Sequence, residues 1–186
     1  MKDYPQVEIG SLEDWHDWLS RNADTSDSIW LIRWKKGEGP YVPYDELVDE
    51  ALCFGWIDSL PRRLDESRSM LLMSPRRPGS GWSTVNKGKI ERLREAGRLT
   101  PRGIAIIEAA IQDGSWTRLD SAGALEVADD LAQALKHKGA RKNFDTFPAS
   151  ARRGILEWID QAKRPETRRQ RIEATASAAT EDRRVK

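Results

Sequence analysis

EALCFGWIDSLPRRLDESRSMLLMSPRRPGSGWSTVN, residues 50–86, decides the fold of this chain. It opens on the end of an apolar helical pattern, Tyr44, Leu47, Val48, Ala51 and Leu52, which Gly55 closes by supplying a left-handed C-terminal residue. Two short strands follow, over residues 56–59 and 69–74. Pro61 is expected to break the first, and Asp65, Glu66 and Ser67 to form the turn between them. Past PRRPGSG the pattern turns helical, with Ser83 or Thr84 as the cap.

Upstream, Ser11 reads as an N-cap, and Leu12, Trp15, Trp18 and Leu19 predict an amphipathic helix over 11–22. Residues 28–35 alternate, with Trp30, Ile32 and Trp34 on one face and Ile29, Leu31 and Arg33 on the other, so they read as a strand. KKGEGPYVP is a turn. Downstream, a helix runs from 84 to Gly97, and Thr100-Pro101 starts another with Ile104, Ile107, Ala110 and Ile111 inward. Ala128, Leu131, Ala132 and Leu135 form a further stripe ended by Gly139. After a turn at Phe144 and Phe147 comes the stripe Ala151, Ile155, Trp158, Ile159 and Ala162, and Pro165 opens a last, basic helix. The expected class is α+β: a small antiparallel sheet with covering helices in residues 1–82, a helical region over 83–180 packed on it, and a fraying tail, 181–186.

The chain has 186 residues, enough to bury roughly two-thirds of its unfolded surface without disulfides or metals. Eight tryptophans supply large apolar bodies for a core although 33% of residues are charged. The single cysteine, Cys53, excludes an internal disulfide and suits a reducing compartment. MKDYPQVEIG has no apolar run of signal-peptide length and no segment reads as a membrane span, so a cytoplasmic location is expected.

Net charge is +1, unevenly spread. Residues 1–59 carry 5 basic and 13 acidic side chains, whereas residues 60–103 carry 11 and 4. Either the two stretches attract each other within one fold, or the second offers a basic face to an anionic partner.

WLIRWKKG, EALCFGWIDS, SPRRPGSGWSTVN, GRLTPRGIAIIEAA and EWIDQAKRPETRRQRI occur in this order. By these strings the chain resembles the YdeI / OmpD-associated family, also termed bacteriocin protection, from about Leu12 to Ile172. MLLMS departs from the more aromatic and basic segment expected in the third strand. The resemblance implies a small bacterial protein linked to resistance against antimicrobial peptides or to envelope stress. It also implies porin association for some members, which requires export. It assigns no catalytic residue.

Arg62-Arg63 and Arg76-Arg77 leave the two strands of the expected hairpin, so one arginine of each pair shares a face. Such guanidinium forks hold a carboxylate or phosphate, or else bridge Asp58, Asp65 and Glu66 structurally. Gly79-Ser80-Gly81 before a helix start offers backbone N–H groups to an anion, but lacks the Gly-Lys-Ser/Thr ending of a nucleotide-binding loop. Trp56 and Trp82 either stack a ligand or seal two layers. Cys53 at a helix C-terminus reads as structural, His16 as a solvated surface histidine, and neither histidine has metal-ligand spacing.

The leading expectation is a non-catalytic binding or stress-protection protein. Its site would gather Asp58, Arg62, Arg76, Arg77, Ser80, Trp82, Ser83 and Asn86 around an anionic small molecule or protein partner, without cofactor or metal. One alternative is an enzyme using that pocket with Asp58 as acid or base. The other is a nucleic-acid binder using residues 84–112 as a helix-turn-helix plus the basic last helix.

Overall fold

The sheet is assembled from both ends of the N-terminal half, as a computed structural model that describes residues 4–185 shows. The elements run β1 (Gln6–Glu8), α1 (Leu12–Asn22), β2 (Ile29–Trp34), α2 (Tyr44–Cys53), β3 (Trp56–Arg63), β4 (Arg68–Pro75), α3 (Thr84–Glu95) and α4 (Pro101–Gln112). Five helices follow: α5 (Asp120–Gly123), α6 (Asp129–His137), α7 (Arg141–Thr146), α8 (Ala149–Asp160) and α9 (Pro165–Thr180). This is the α+β arrangement expected, a four-stranded sheet with helices and then a helical C-terminal half. Strand order is β1-β2-β4-β3, antiparallel except that β1 runs parallel to β2 through the α1 crossover.

The chain divides into two compact units. The first holds the residues up to Ser80 together with Val85–Asp113, and the second holds Gly81–Thr84 and the chain from Gly114 onward. In the first, Ser11 caps α1 by accepting from the Asp14 N–H at 3.0 Å, and Trp15 and Leu19 are fully buried. The buried indoles of Trp15 and Trp56 donate to the carbonyls of Leu47 and Ala23, each at 3.1 Å, so neither ring buries an unpaired N–H. The alternation read in β2 holds: Trp30 and Ile32 join Met70 in a cluster on one face of the sheet. Leu31 and Leu71 are register partners with opposite parity to that cluster, and both are buried.

Two glycines fix how α4 meets α2. Gly55 adopts φ +70° at the end of α2, and a Cβ there would lie 2.2 Å from Ile106 Cδ1. Gly103 is buried in α4, and a Cβ on it would lie 2.2 Å from the Cys53 carbonyl oxygen. Thr100 caps α4 while its hydroxyl donates to that same carbonyl at 2.7 Å.

Three expectations are corrected here. Pro61 does not end its strand: β3 continues to Arg63, because β3 is an edge strand and a missing N–H on its outer side breaks no ladder bond. Ile104 and Ile111 do not face inward; they are 42% and 55% exposed, and Gly103, Ile107 and Ala110 form the buried face of α4 instead. The sheet also has the short parallel strand β1, so it is not wholly antiparallel.

The second unit packs α5 to α9 around Leu131, Leu135, Phe144, Ile155, Leu156, Ile159, Ile172 and Ala176. Phe144 and Phe147 meet edge-on with centroids 5.9 Å apart. Past α9, the Arg183 N–H donates to the Ala178 carbonyl at 3.0 Å, and Val185 packs against this core. Among the described residues no helix is long and apolar enough to cross a membrane.

Candidate functional site

Asp58 occupies the inner part of β3, paired with Met73 of β4, while Pro61 pairs with Leu71 and Arg62 with Met70. Three steps along β3 thus match two along β4, an extra residue that forms a β-bulge between Asp58 and Pro61. The bulge reverses the alternation: Asp58 and Pro61 share the face of Leu71 and Met73, and Arg62 turns to the other face. There the Arg62 guanidinium lies 5.3 Å from the Trp30 ring centroid, a cation–π contact.

On its own face Asp58 Oδ2 accepts from the Tyr44 hydroxyl at 2.6 Å. Arg33, on the β2 face of Ile29 and Leu31, lies with its guanidinium carbon 5.9 Å from the Tyr44 ring centroid. Arg33, Tyr44, Asp58, Pro61, Ser69 and Leu71 line a pocket of about 220 Å³. Partial burial and then the bond to Asp58 hold the Tyr44 phenol well above its ordinary pKa, so it stays a donor.

The structure does not bring the remaining expected residues to that pocket's lining. Arg76 is buried, its N–H donates to the Gly55 carbonyl at 3.0 Å, and burial pulls its guanidinium down to about 10. Arg77 is exposed. Its carbonyl accepts from both the Ser80 N–H at 3.1 Å and the Ser80 hydroxyl at 2.7 Å, which closes the turn from Arg77 to Ser80. Asn86 lies half-buried in the first turns of α3. Trp82 and Ser83 belong to the second unit, where Trp82 is 1% exposed against Trp116, with ring centroids 5.0 Å apart. Trp82 is therefore packed within the second unit.

The basic excess of residues 60–103 is largely met by carboxylates within the first unit. Lys89 holds Asp45 and Asp49 at 2.9 and 2.8 Å, and Arg92 holds Asp49 at 2.5 Å. Arg98 holds Glu50 at 2.6 Å, Arg102 holds Asp24 at 2.5 Å, and Arg63 pairs with Glu66. Arg68 joins Asp65 and Glu8 at 2.8 and 2.9 Å, and Asp65 also accepts the N–H groups of Ser67 and Arg68 in the hairpin turn. The acidic and basic stretches thus attract each other within the first unit. His16 is not merely solvated, since its Nδ1 lies 2.7 Å from the buried Glu50 carboxylate. Cys53 is buried, and burial pushes its thiol up to about 12, as a structural cysteine requires.

The basic last helix distributes its charge in the same way. Arg168 donates to both Asp130 oxygens at 2.7 and 3.0 Å and to Asp160 at 2.9 Å, and the Asp130 bond raises its guanidinium pKa. Arg171 lies over the Trp158 ring at 4.9 Å. Beside Arg168 a second pocket of about 220 Å³ is lined by the apolar Val127, Leu131, Leu156 and Ile159 and by the carboxylates of Glu126 and Asp160.

Sequence reasoning missed Arg33 and Tyr44. The available signal was parity: Arg33 is the one charged residue in IWLIRW, on the face of Ile29 and Leu31. Tyr44 could not be linked to Asp58 without the packing of α2 on β3.

No curated protein and no solved structure matches the chain. Residues 124–182 match the model of the family described as bacteriocin-protection, YdeI or OmpD-associated, a shorter span than the near-full-length resemblance expected. EALCFGWIDS and PRRPGSGWS fall instead within residues 7–106, more than half of the chain, which match a different family model. The chain thus belongs to the family described as a domain of unknown function, DUF8412, and carries a bacteriocin-protection, YdeI or OmpD-associated domain in its C-terminal part.

Proposed function

We propose that this chain is a non-catalytic protection protein whose C-terminal unit captures a lysine- or arginine-bearing segment of a cationic amphipathic peptide. The observation that carries this reading is the pocket beside Arg168. It is lined by apolar side chains and by two carboxylates, and its Arg168 is already shared by Asp130 and Asp160. Among the residues lining this opening, two are carboxylates, Glu126 and Asp160, and one is a guanidinium, Arg168. A long basic side chain matches this lining, laying its methylene stem on Leu131 and Leu156 and its charged head on Glu126. The family description of residues 124–182 supports the same role. An anionic ligand at Arg62, Arg76 and Arg77 has less support, because Arg62 lies over Trp30, Arg76 is buried, and none of the three lines the pocket of Asp58.

The test is a fluorescence-anisotropy titration with a labelled amphipathic lysine/leucine peptide and a glutamate/leucine peptide of equal length. The lysine peptide should bind, more weakly as salt rises, and the glutamate peptide should not. The double variant Glu126→Gln/Asp160→Asn should weaken binding at least about tenfold while remaining folded. Equal binding of both peptides, or an unaffected double variant, would overturn the proposal.

A further inference from the structure

The pocket of the first unit is a separate feature, and its charges are arranged differently. Most cations of residues 60–103 hold carboxylates, yet Arg33, half-buried on the sheet, forms no ion pair among the described residues. Its Nη1 has only a long contact of 3.5 Å to the Val42 carbonyl. Asp58 likewise has no cation partner among the described residues, where its side chain takes one hydrogen bond, from Tyr44 to Oδ2. A half-buried cation and a half-buried carboxylate thus line one cavity without neutralising each other. Tyr44 stands between them, its ring beside Arg33 and its hydroxyl on Asp58.

A guest that repairs both omissions carries a negative and a positive group close together. The cavity, about 220 Å³, lies below the usual ligand-pocket range of roughly 300–1,000 Å³, a size that suits a small guest. Pro61 and Leu71 give it an apolar side, and Ser69 adds a hydroxyl at the sheet. We propose that this pocket binds a free α-amino acid with a small aliphatic side chain, its carboxylate on Arg33, its ammonium on Asp58 and its side chain against Pro61 and Leu71. The guanidinium fork suits a carboxylate bidentately, and the free Asp58 Oδ1 accepts from an ammonium. With Oδ2 fixed by Tyr44, the Asp58 carboxylate is oriented before the guest arrives. The site is independent of the peptide-binding role of the C-terminal unit.

The probe is L-valine, titrated into the ¹⁵N-labelled full chain while amide shifts are followed at Arg33, Asp58 and Ser69. Isobutylamine, which lacks the carboxylate, and isovalerate, which lacks the ammonium, serve as controls. L-valine should give saturable shifts confined to the pocket, and each control should bind at least about tenfold more weakly, since each loses one charge-assisted contact. Arg33→Met and Asp58→Asn should each weaken L-valine by at least about tenfold. Tyr44→Phe removes only a hydroxyl, keeps the ring, and should weaken it less. The proposal is overturned by the absence of saturable shifts up to about 10 mM L-valine, well above a millimolar Kd. It is equally overturned if either control binds as tightly as L-valine, or if the folded Tyr44→Phe and Asp58→Asn chains both bind unchanged.

Discussion

Asp58 and Arg62, four residues apart on β3, point to opposite faces of the sheet because one extra residue is accommodated between Asp58 and Pro61. Arg62 consequently lies over Trp30, which belongs with Ile32 and Met70 to the cluster on that face. Arg62→Ala should lower stability by about 1 kcal/mol, or roughly 2–4 °C in Tm for a chain of this size. Arg62→Lys should recover part of the loss by retaining the stem. Thermal unfolding followed by circular dichroism measures both, and an unchanged midpoint in Arg62→Ala would show that the stack contributes nothing.

The bulge also separates what could be read from the sequence from what could not. Ser11, the alternation of IWLIRW and the Gly55 stop are local signals, and α1, β2 and the end of α2 follow from them. β1 has only three residues, too few to show a period, and pairing with β2 is what makes it a strand. Pro61 misleads because its effect depends on whether its strand is central or at an edge. The apolar Ile104 and Ile111 fit an inward helical stripe by spacing, yet the close approach allowed by Gly103 rotates that helix toward Cys53 and leaves them outside. Site residues were the least legible part. Parity counted along β3 puts Asp58 and Arg62 together, and only the register against β4 shows that they part.

Glu50 is the buried centre of a small charge network, taking Arg98 at 2.6 Å on one oxygen and His16 at 2.7 Å on the other. Arg98→Ala removes the permanent cation and leaves a buried carboxylate without it, whereas Glu50→Gln removes the charge and keeps a polar side chain. Arg98→Ala should therefore cost more, about 2–3 kcal/mol against about 1–2 kcal/mol, figures reduced for the partial exposure of Arg98. Urea unfolding gives both values. The reverse order would mean that Glu50 is held by packing and that the pair adds no net stabilisation.

Cys53 carries a pH dependence of definite sign. Its thiol is pushed up to about 12 in the folded chain by burial, against about 8.5 in an unfolded chain. Above about pH 8.5 the unfolded state sheds this proton while the folded state keeps it, so stability is complete below that pH and declines toward pH 12. Cys53→Ala should flatten this part of the stability profile. The native thiol should also resist a thiol reagent at pH 8 until denaturant is added. Labelling of the native chain at the rate of the unfolded one would refute the burial argument.

Glycine-to-alanine substitution should act in opposite directions at two helical positions. In α3, Gly88 is exposed and an added Cβ meets nothing within 4 Å, so Gly88→Ala should gain about 0.5–1 kcal/mol from helix propensity alone. In α4, Gly103 has the same intrinsic preference for replacement, but its Cβ would lie 2.2 Å from the Cys53 carbonyl oxygen and 3.0 Å from the carbonyl carbon. Backbone cannot rotate away as a side chain does, so α4 must shift off the end of α2. That movement also stretches the Thr100 hydroxyl bond to the same carbonyl, now 2.7 Å. Gly103→Ala should lose about 2 kcal/mol or more despite the propensity gain, in the range of overpacked cores. Parallel urea titrations of the two variants and the parent chain decide it: if Gly103→Ala is as stable as Gly88→Ala, the close contact between α4 and the end of α2 is not part of the folded structure.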